Sequence, residues 1–169
     1  LNSYSNDLEH ILDSYMKATD TDSYYTMMTQ PCLGRYYTRA RIQRHFRPEI
    51  PNREALVDLS DQRFARLRQL EGDYYTIFTE KGLRELAHTG IAADLPPELV
   101  IPIDRQTRIE LLTAFRTDLQ TGRIHGCIAD MEQLPIPPYL TLTCDPKFGV
   151  HLYATQGFIG GAYACNLHI

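Results

Sequence analysis

Histidine and cysteine residues occur at spacings that could support metal or proton-transfer chemistry in the last third of this sequence. His125 and Cys127 are two positions apart in a segment with the composition of a β-strand, so both side chains are expected on one face of it. His151, in a later segment of the same kind, could lie beside them. Because zinc and copper are commonly bound by imidazole and thiolate, a metal site is one hypothesis, and proton transfer by His125 and His151 is another.

A structural role for these residues is the interpretation we prefer. Cys165 and His168, three positions apart, would point to opposite faces of a strand, which leaves a metal without an identified fourth ligand. The chain also contains no P-loop, no G-x-G-x-x-G fingerprint, no H-E-x-x-H helix and no G-x-S-x-G elbow. We therefore predict no catalytic residue, no metal and no cofactor, and we retain an enzyme that uses His125 and His151 as an alternative.

Arginine is concentrated in one segment of a chain whose formal net charge is -4. From Arg35 to Arg68 there are nine arginines against four acidic residues, a local balance of +5. Such a segment can mark an anion or nucleic-acid site, but it is more often a helix face that is solvated or paired with nearby acids. Domains that bind nucleic acids are usually basic overall. Direct nucleic-acid binding through the Arg35–Arg68 segment is therefore a second alternative.

The composition predicts one ordinary globular domain over residues 1–169. With 43% hydrophobic and 22% charged residues, the chain can bury a core without disulfides or a metal. The four cysteines are scattered, which favours reduced thiols and a cytoplasmic location, and no apolar run is long enough to cross a membrane. Because the sequence begins with Leu1 instead of methionine and ends in a strand-like segment at Ile169, we expect a fragment of a longer protein.

The order of predicted elements indicates an α+β domain. Apolar residues at helical spacing predict helices, and runs of β-branched and aromatic residues between turn residues predict strands. Helices are predicted over 5–20, 35–46, 80–90 and 105–122, and one helix or a helix pair over 52–70. Strands are predicted over 73–80, 123–130, 139–145, 149–155 and 161–169, and a strand or an extended arm over 21–34. The predicted fold has the helices of the first two thirds packed on one mostly antiparallel sheet, built from the central strand and the C-terminal strands.

The segment DYYTIFTEKGLREL predicts a strand that continues directly into a helix. Thr79 can end the strand and cap the helix at once, and Gly90 ends the helix. Both faces of the strand are apolar or aromatic, so we expect it to be covered on both sides and to lie beside the strand at 123–130. Asp104 is predicted to cap the next helix, and the last three strands are predicted to form an antiparallel meander.

Several of these segments, in this order, resemble the C-terminal ligand-sensing or partner-binding module of bacterial helix-turn-helix transcription regulators of the Xre type. The resemblance covers about half of the chain, from Leu56 to Asp130. It rests on an arginine-rich helix, RFARLRQL, followed by the strand and short helix of YYTIFTEKGLREL and by the longer helix and strand of RIELLTAFRTDLQTGRIHGCIAD. The acid after the strand, Glu80, is part of the match.

The resemblance implies a regulatory domain in a chain that lacks the DNA-binding domain. Such a domain would bind a small-molecule or peptide effector, form a homodimer, and contact DNA only through the absent domain. Eleven tyrosines supply side chains suited to lining a binding site. The predicted ligand-binding residues lie on the sheet face near the central strand, with two arginines as candidate anchors for an anion: Tyr75, Ile77, His125, Tyr153, Arg39 and Arg66.

Overall fold

The computed structural model describes residues 24–69, 73–92, 99–130, 140–145, 149–154 and 163–167, the last three ranges through their backbone pairing. The helix predicted over 5–20 lies outside the described residues. In chain order the elements are β1 (Tyr24–Met27), a 3-10 turn (Gly34–Tyr36), α1 (Arg39–His45), α2 (Arg53–Gln69), β2 (Tyr74–Thr79), α3 (Glu80–Thr89), α4 (Arg105–Gln120), β3 (His125–Ala129), β4 (Leu140–Asp145), β5 (Gly149–Ala154) and β6 (Tyr163–Leu167). The domain is α+β.

The described strands form one mixed sheet in the order β3-β2-β1-β4-β5-β6. Strands β1, β2 and β3 are parallel to one another, whereas β4 runs antiparallel to β1 and continues into antiparallel pairs with β5 and β6. The predicted adjacency of β2 and β3 is confirmed, and so is the antiparallel pairing of the last three strands. The parallel and antiparallel parts of the sheet meet at β1.

The prediction of helices packed on one mostly antiparallel sheet is wrong. The strands next to the helices, β1, β2 and β3, form an all-parallel set. Each of the connections from β1 to β2 and from β2 to β3 contains two α-helices, and a helical crossover returns the chain parallel to the preceding strand. Residues 24–27 therefore form a strand inside the sheet and not an extended arm.

The direct passage from β2 into α3 is confirmed. The Thr79 hydroxyl accepts a hydrogen bond from the N–H of Gly82 at 2.9 Å and donates one to the Thr29 carbonyl at 2.9 Å. Gly82 lies so close to the loop after β1 that a Cβ at this position would be 1.8 Å from the Thr29 oxygen. Thr79 and Gly82 together therefore fix the start of α3 against this loop.

Two further predicted helix boundaries, the end of α3 at Gly90 and the start of α4 at Asp104, are also confirmed, whereas α1 begins at Arg39 instead of Arg35 and α4 ends at Gln120 instead of Gly122. Gly90 follows α3 in the left-handed conformation, with φ of 72°, and its N–H donates to the Leu86 carbonyl. Asp104 caps α4, because its carboxylate accepts hydrogen bonds from the Thr107 N–H at 2.9 Å and from the Thr107 hydroxyl at 2.7 Å. Local sequence thus determines where α3 ends and where α4 begins.

The core lies between the helices and one face of the sheet. Tyr74, Thr76 and Phe78 alternate along β2 and are buried on this face. The Phe78 ring meets Phe115 of α4 in an edge-to-face contact, with 5.6 Å between ring centroids. On the opposite face Tyr75 and Ile77 are half-buried and Thr79 is buried. The strand is therefore interior in the sheet, and the part of the chain that the structure describes covers its second face only partly.

Candidate functional site

Three rings from three parallel strands form a row on the sheet face opposite the helices. The pairing register aligns Tyr25 of β1 with Tyr75 of β2, and Tyr75 with His125 of β3. The two tyrosine rings stack with centroids 4.8 Å apart and an interplanar angle of 4°. The Tyr75 and His125 rings stack at 4.7 Å and 23°. We call Tyr25, Tyr75 and His125 the aromatic row.

The stacking distances fix how the rings stand on the sheet. Their spacing equals the separation of neighbouring strands, which is about 4.8 Å. Aromatic rings lying side by side in one plane could not approach this closely, so the rings stand upright and stack along the strand-to-strand direction. The row therefore presents ring edges and polar tips outward. At the β3 end, the outer face of the His125 ring is turned toward the edge of the sheet.

Asp73 is the polar partner of the aromatic row. The Tyr75 hydroxyl donates a hydrogen bond to Asp73 Oδ2 at 3.2 Å, and His125 Nε2 lies 3.5 Å from Asp73 Oδ1. Desolvation and, after it, the negative charge of Asp73 raise the pKa of Tyr75. The phenol is therefore a hydrogen-bond donor at neutral pH.

A second, mainly aliphatic row lies beside the aromatic one. Met27, Ile77 and Cys127 follow two residues later on the same three strands and are aligned by the same register. Residues two apart in a strand share a face, so both rows belong to one surface. We call these six residues the aromatic face. Met27 and Ile77 are half-buried and Cys127 is exposed.

The structure brings together half of the predicted ligand-binding residues. Tyr75, Ile77 and His125 all belong to the aromatic face. Tyr153 lies on β5, which is three strands from β2 in the sheet, or about 14 Å. Arg66 lies on α2, and its side chain is outside the part of the chain that the structure describes.

Arg39, the other predicted anion anchor, lies on α1 and binds acidic side chains of the protein itself. Its guanidinium is 2.5 Å from the carboxylate of Glu54 and also contacts Asp58. The hydrogen bond to Asp58 is the main cause that raises the pKa of Arg39. The charge of Arg39 is therefore already balanced by two carboxylates from α2, which leaves little attraction for an external anion.

Sequence reasoning missed Tyr25 and Asp73. A signal for Tyr25 was present, because β1 reads YYTM and β2 begins YYTI. Parallel pairing of these similar strands places like residues side by side, Tyr25 beside Tyr75 and Thr26 beside Thr76. Repetition of Tyr-Tyr-Thr in two strand candidates could therefore have indicated a cross-strand stack. No sequence pattern indicated Asp73. It lies just before β2, and its contact with His125 depends on the pairing of β2 with β3.

The sheet order separates the two histidines of the enzyme and metal hypotheses. His125 lies on β3 and His151 on β5, four strands apart, or about 19 Å between backbones. Direct proton transfer between them or binding of one metal by both would require a much shorter distance. Among the described residues, no group of three His, Cys, Asp or Glu side chains is placed to hold a metal ion.

The arginine-rich segment is largely engaged in contacts within the domain. Arg53 donates to the backbone carbonyls of Gln43 and Phe46. Four further arginines form ion pairs, which are Arg35 with Asp118, Arg39 with Glu54 and Asp58, Arg41 with Glu110, and Arg68 with Asp61. The local excess of positive charge seen in the sequence is therefore partly neutralised by acids, two of which lie outside the segment.

A cavity of about 280 Å³ lies between α1 and the start of α4. Its lining is mostly apolar, with Arg41 and Asp104 among its polar residues. Arg41 is paired with Glu110 at 2.5 Å, and both Asp104 oxygens accept hydrogen bonds from Thr107. Arg41 and Asp104 are therefore engaged within the protein, and Arg44, His45 and Thr107 add to the polar lining of the cavity.

Comparison with known proteins adds no family assignment. No family model, curated protein or solved structure matches the chain. The resemblance to Xre-type regulators therefore stays a prediction from the sequence. Within the part of the chain that the structure describes, no helix combines the length and apolar character needed to cross a membrane.

Proposed function

We propose that this chain is the regulatory domain of a bacterial helix-turn-helix transcription regulator, and that it binds a small-molecule or peptide effector on the aromatic face. DNA is bound by a separate domain of the same regulator, which acts as a homodimer in the cytoplasm. The regulator class rests on the sequence resemblance, and the choice of surface rests on the side chains of the sheet.

The observation that carries this proposal is an exposed yet ordered row of rings. Tyr25 is 37% exposed and the His125 side chain is 47% exposed, although each is stacked on Tyr75. Rings held in this way lose little conformational freedom when a ligand binds, and tyrosine hydroxyls add hydrogen bonds. An exposed apolar surface with polar tips is typical of a binding site.

The polar groups of the row indicate what the effector offers. Asp73 places a negative charge beside Tyr75 and His125. A neutral or cationic effector is therefore favoured over an anion, in contrast to the anion anchors predicted from Arg39 and Arg66. A flat ring or an apolar group could pack on the exposed ring edges of Tyr25 and Tyr75.

The two alternative functions have less support. Direct nucleic-acid binding needs arginines available for phosphates, and several in the Arg35–Arg68 segment are bound to acids of the protein. An enzyme that uses His125 with His151 needs the two imidazoles to meet, and they lie on strands that are far apart in the sheet. Steep weakening of nucleic-acid binding with salt would favour the first alternative.

A thermal-shift screen with metabolites and peptides tests the proposed effector site. A ligand at one hundred times its dissociation constant adds about 2.7 kcal/mol of stability, which for a chain of this size raises the melting temperature by about 5–10 °C. The Tyr75→Ala variant removes the central ring of the row and should lose this response. Tyr75→Phe keeps the stacking and loses only the hydroxyl, so it should retain part of it.

Ile109→Ala is the matched control, because Ile109 is an exposed apolar residue of α4, outside the aromatic face. It should respond to the ligand like the unmodified chain. A ligand that stabilises Tyr75→Ala and the unmodified chain equally would contradict the aromatic face as the effector site.

A further inference from the structure

The outer edge of β3 is exposed and apolar. β3 stands at one end of the strand order, so its outer backbone groups face no other described strand. Its sequence, HGCIA, contains neither the proline nor the lysine that edge strands often use against self-association. Four of its five residues are exposed, and Ile128 is 60% exposed. An edge of this kind is a template for a further strand.

The side chains of β3 are complementary to a second copy of the same strand. An antiparallel pairing centred on Cys127 places Cys127 opposite its counterpart and Gly126 opposite Ile128. Leu119 of α4 lies over Gly126, where a Cβ would be 2.5 Å from the leucine Cδ2. Ile128 of the second copy would therefore cross the glycine and pack against Leu119.

The charges at the two ends of β3 favour the same arrangement. Arg123 and His125 lie at its N-terminal end, and both side chains are exposed. Asp130 follows its C-terminal end and is also exposed. Antiparallel pairing brings the basic end of each copy beside the acidic end of the other, whereas parallel pairing would place like charges together.

We propose that two copies of this chain associate edge to edge through β3, antiparallel and centred on Cys127, so that the two sheets become continuous. This deepens the proposed function by assigning the dimer surface of the regulator. About four to six backbone hydrogen bonds would join the copies. Because five residues a side bury less than the ~1,200 Å² of a standard interface, the dissociation constant should be micromolar or weaker.

Sedimentation velocity over a range of concentrations tests the dimer, with Ile128→Lys as the edge variant. The unmodified chain should show a concentration-dependent monomer–dimer equilibrium. Ile128→Lys replaces the apolar side chain that packs against Leu119 of the other copy by a charged one, and should weaken dimerisation about tenfold or more, without unfolding the chain because the position is exposed. Ile109→Lys, at a similarly exposed isoleucine of α4, should leave the equilibrium unchanged.

Crosslinking with a short bifunctional maleimide tests the register. Among the described side chains Cys127 is exposed and Cys32 is buried, so in a Cys144→Ser, Cys165→Ser background a dimer centred on Cys127 should crosslink, and the further change Cys127→Ser should abolish the crosslink. A chain that is monomeric at all concentrations, a dimer that survives Ile128→Lys, or a crosslink that persists in Cys127→Ser would overturn the proposal. Effector binding is read from the Tyr75 variants, so failure of the dimer and failure of the effector site are distinguishable.

Discussion

Replacing Gly82 by alanine should destabilise the domain, although alanine is the better helix former. The added Cβ would lie 1.8 Å from the Thr29 oxygen and 2.4 Å from its carbonyl carbon. Both are backbone atoms, so relief requires α3 and the loop after β1 to separate. The Thr29 oxygen also accepts hydrogen bonds from the Thr79 N–H at 3.1 Å and from the Thr79 hydroxyl at 2.9 Å, and this movement would weaken both.

The expected net cost is about 2–4 kcal/mol. Overpacking costs about 1–3 kcal/mol, and two weakened hydrogen bonds cost about 1 kcal/mol each. Better helix propensity offsets about 1 kcal/mol. For a domain of this size the melting temperature should fall by about 5–15 °C.

Urea unfolding of Gly82→Ala, followed by circular dichroism, measures this cost. The control is Lys81→Ala, one position earlier in α3, where the side chain is exposed and the ion pair with Glu85 is long at 4.0 Å. Its free energy of unfolding should stay within about 0.5 kcal/mol of the unmodified chain. If Gly82→Ala unfolds at the same urea concentration as the unmodified chain, or at a higher one, the close contact between α3 and the Thr29 carbonyl does not require glycine at position 82.

Two further predictions concern pH. Burial and the hydrogen bond to Asp118 raise the pKa of Tyr36, so the folded state keeps a proton that the unfolded state releases above pH ~10. The free energy of unfolding should therefore fall above that pH by up to about 1.4 kcal/mol per pH unit, and it should fall less steeply in Tyr36→Phe. Urea unfolding at a series of alkaline pH values measures this dependence, and an equal dependence on pH in both proteins would contradict the prediction. Hydrogen bonds from Thr107 lower the pKa of Asp104, so its stabilising cap is present at neutral pH and is lost as the pH falls through the lowered value. Asp104→Ala should melt below the unmodified chain at pH 7, with a smaller difference at pH ~2.5; a difference independent of pH would count against the charged cap.

Local features of the fold were predictable from the sequence. Thr79 and Asp104 cap helices through hydrogen bonds that reach three residues along the chain, so their roles can be seen in a short window. The strand at β2 and its neighbour β3 also follow from composition and order. The sequence shows a glycine at position 82 but not why glycine is required there, because the Thr29 carbonyl that it contacts lies in a distant segment of the chain.

Features set by distant residues were not predictable. β1 shares Tyr-Tyr-Thr with β2, but four residues do not determine whether the two strands pair parallel or antiparallel, and the parallel pairing overturned the predicted sheet. Arg41 binds Glu110, 69 positions away, so its neutralisation could not be inferred from the local charge count. Tyr75, Ile77 and His125 were predicted together because alternation within strands defines faces, whereas Tyr153 required the strand order.

The position of β1 between β2 and β4 determines which strands of the sheet can separate from one another. In the described sheet, β1 is the short strand that joins the parallel strands β2 and β3 to the antiparallel strands β4, β5 and β6. The antiparallel strands should therefore separate from β1 without unfolding of β2 and β3. Amide hydrogen exchange in β4, β5 and β6 should then be faster than in β2 and β3. Tyr25 belongs both to β1 and to the aromatic row. An effector bound across Tyr25 and Tyr75 should stabilise the pairing of β1 with its neighbours. Effector binding should therefore slow amide hydrogen exchange in the antiparallel strands.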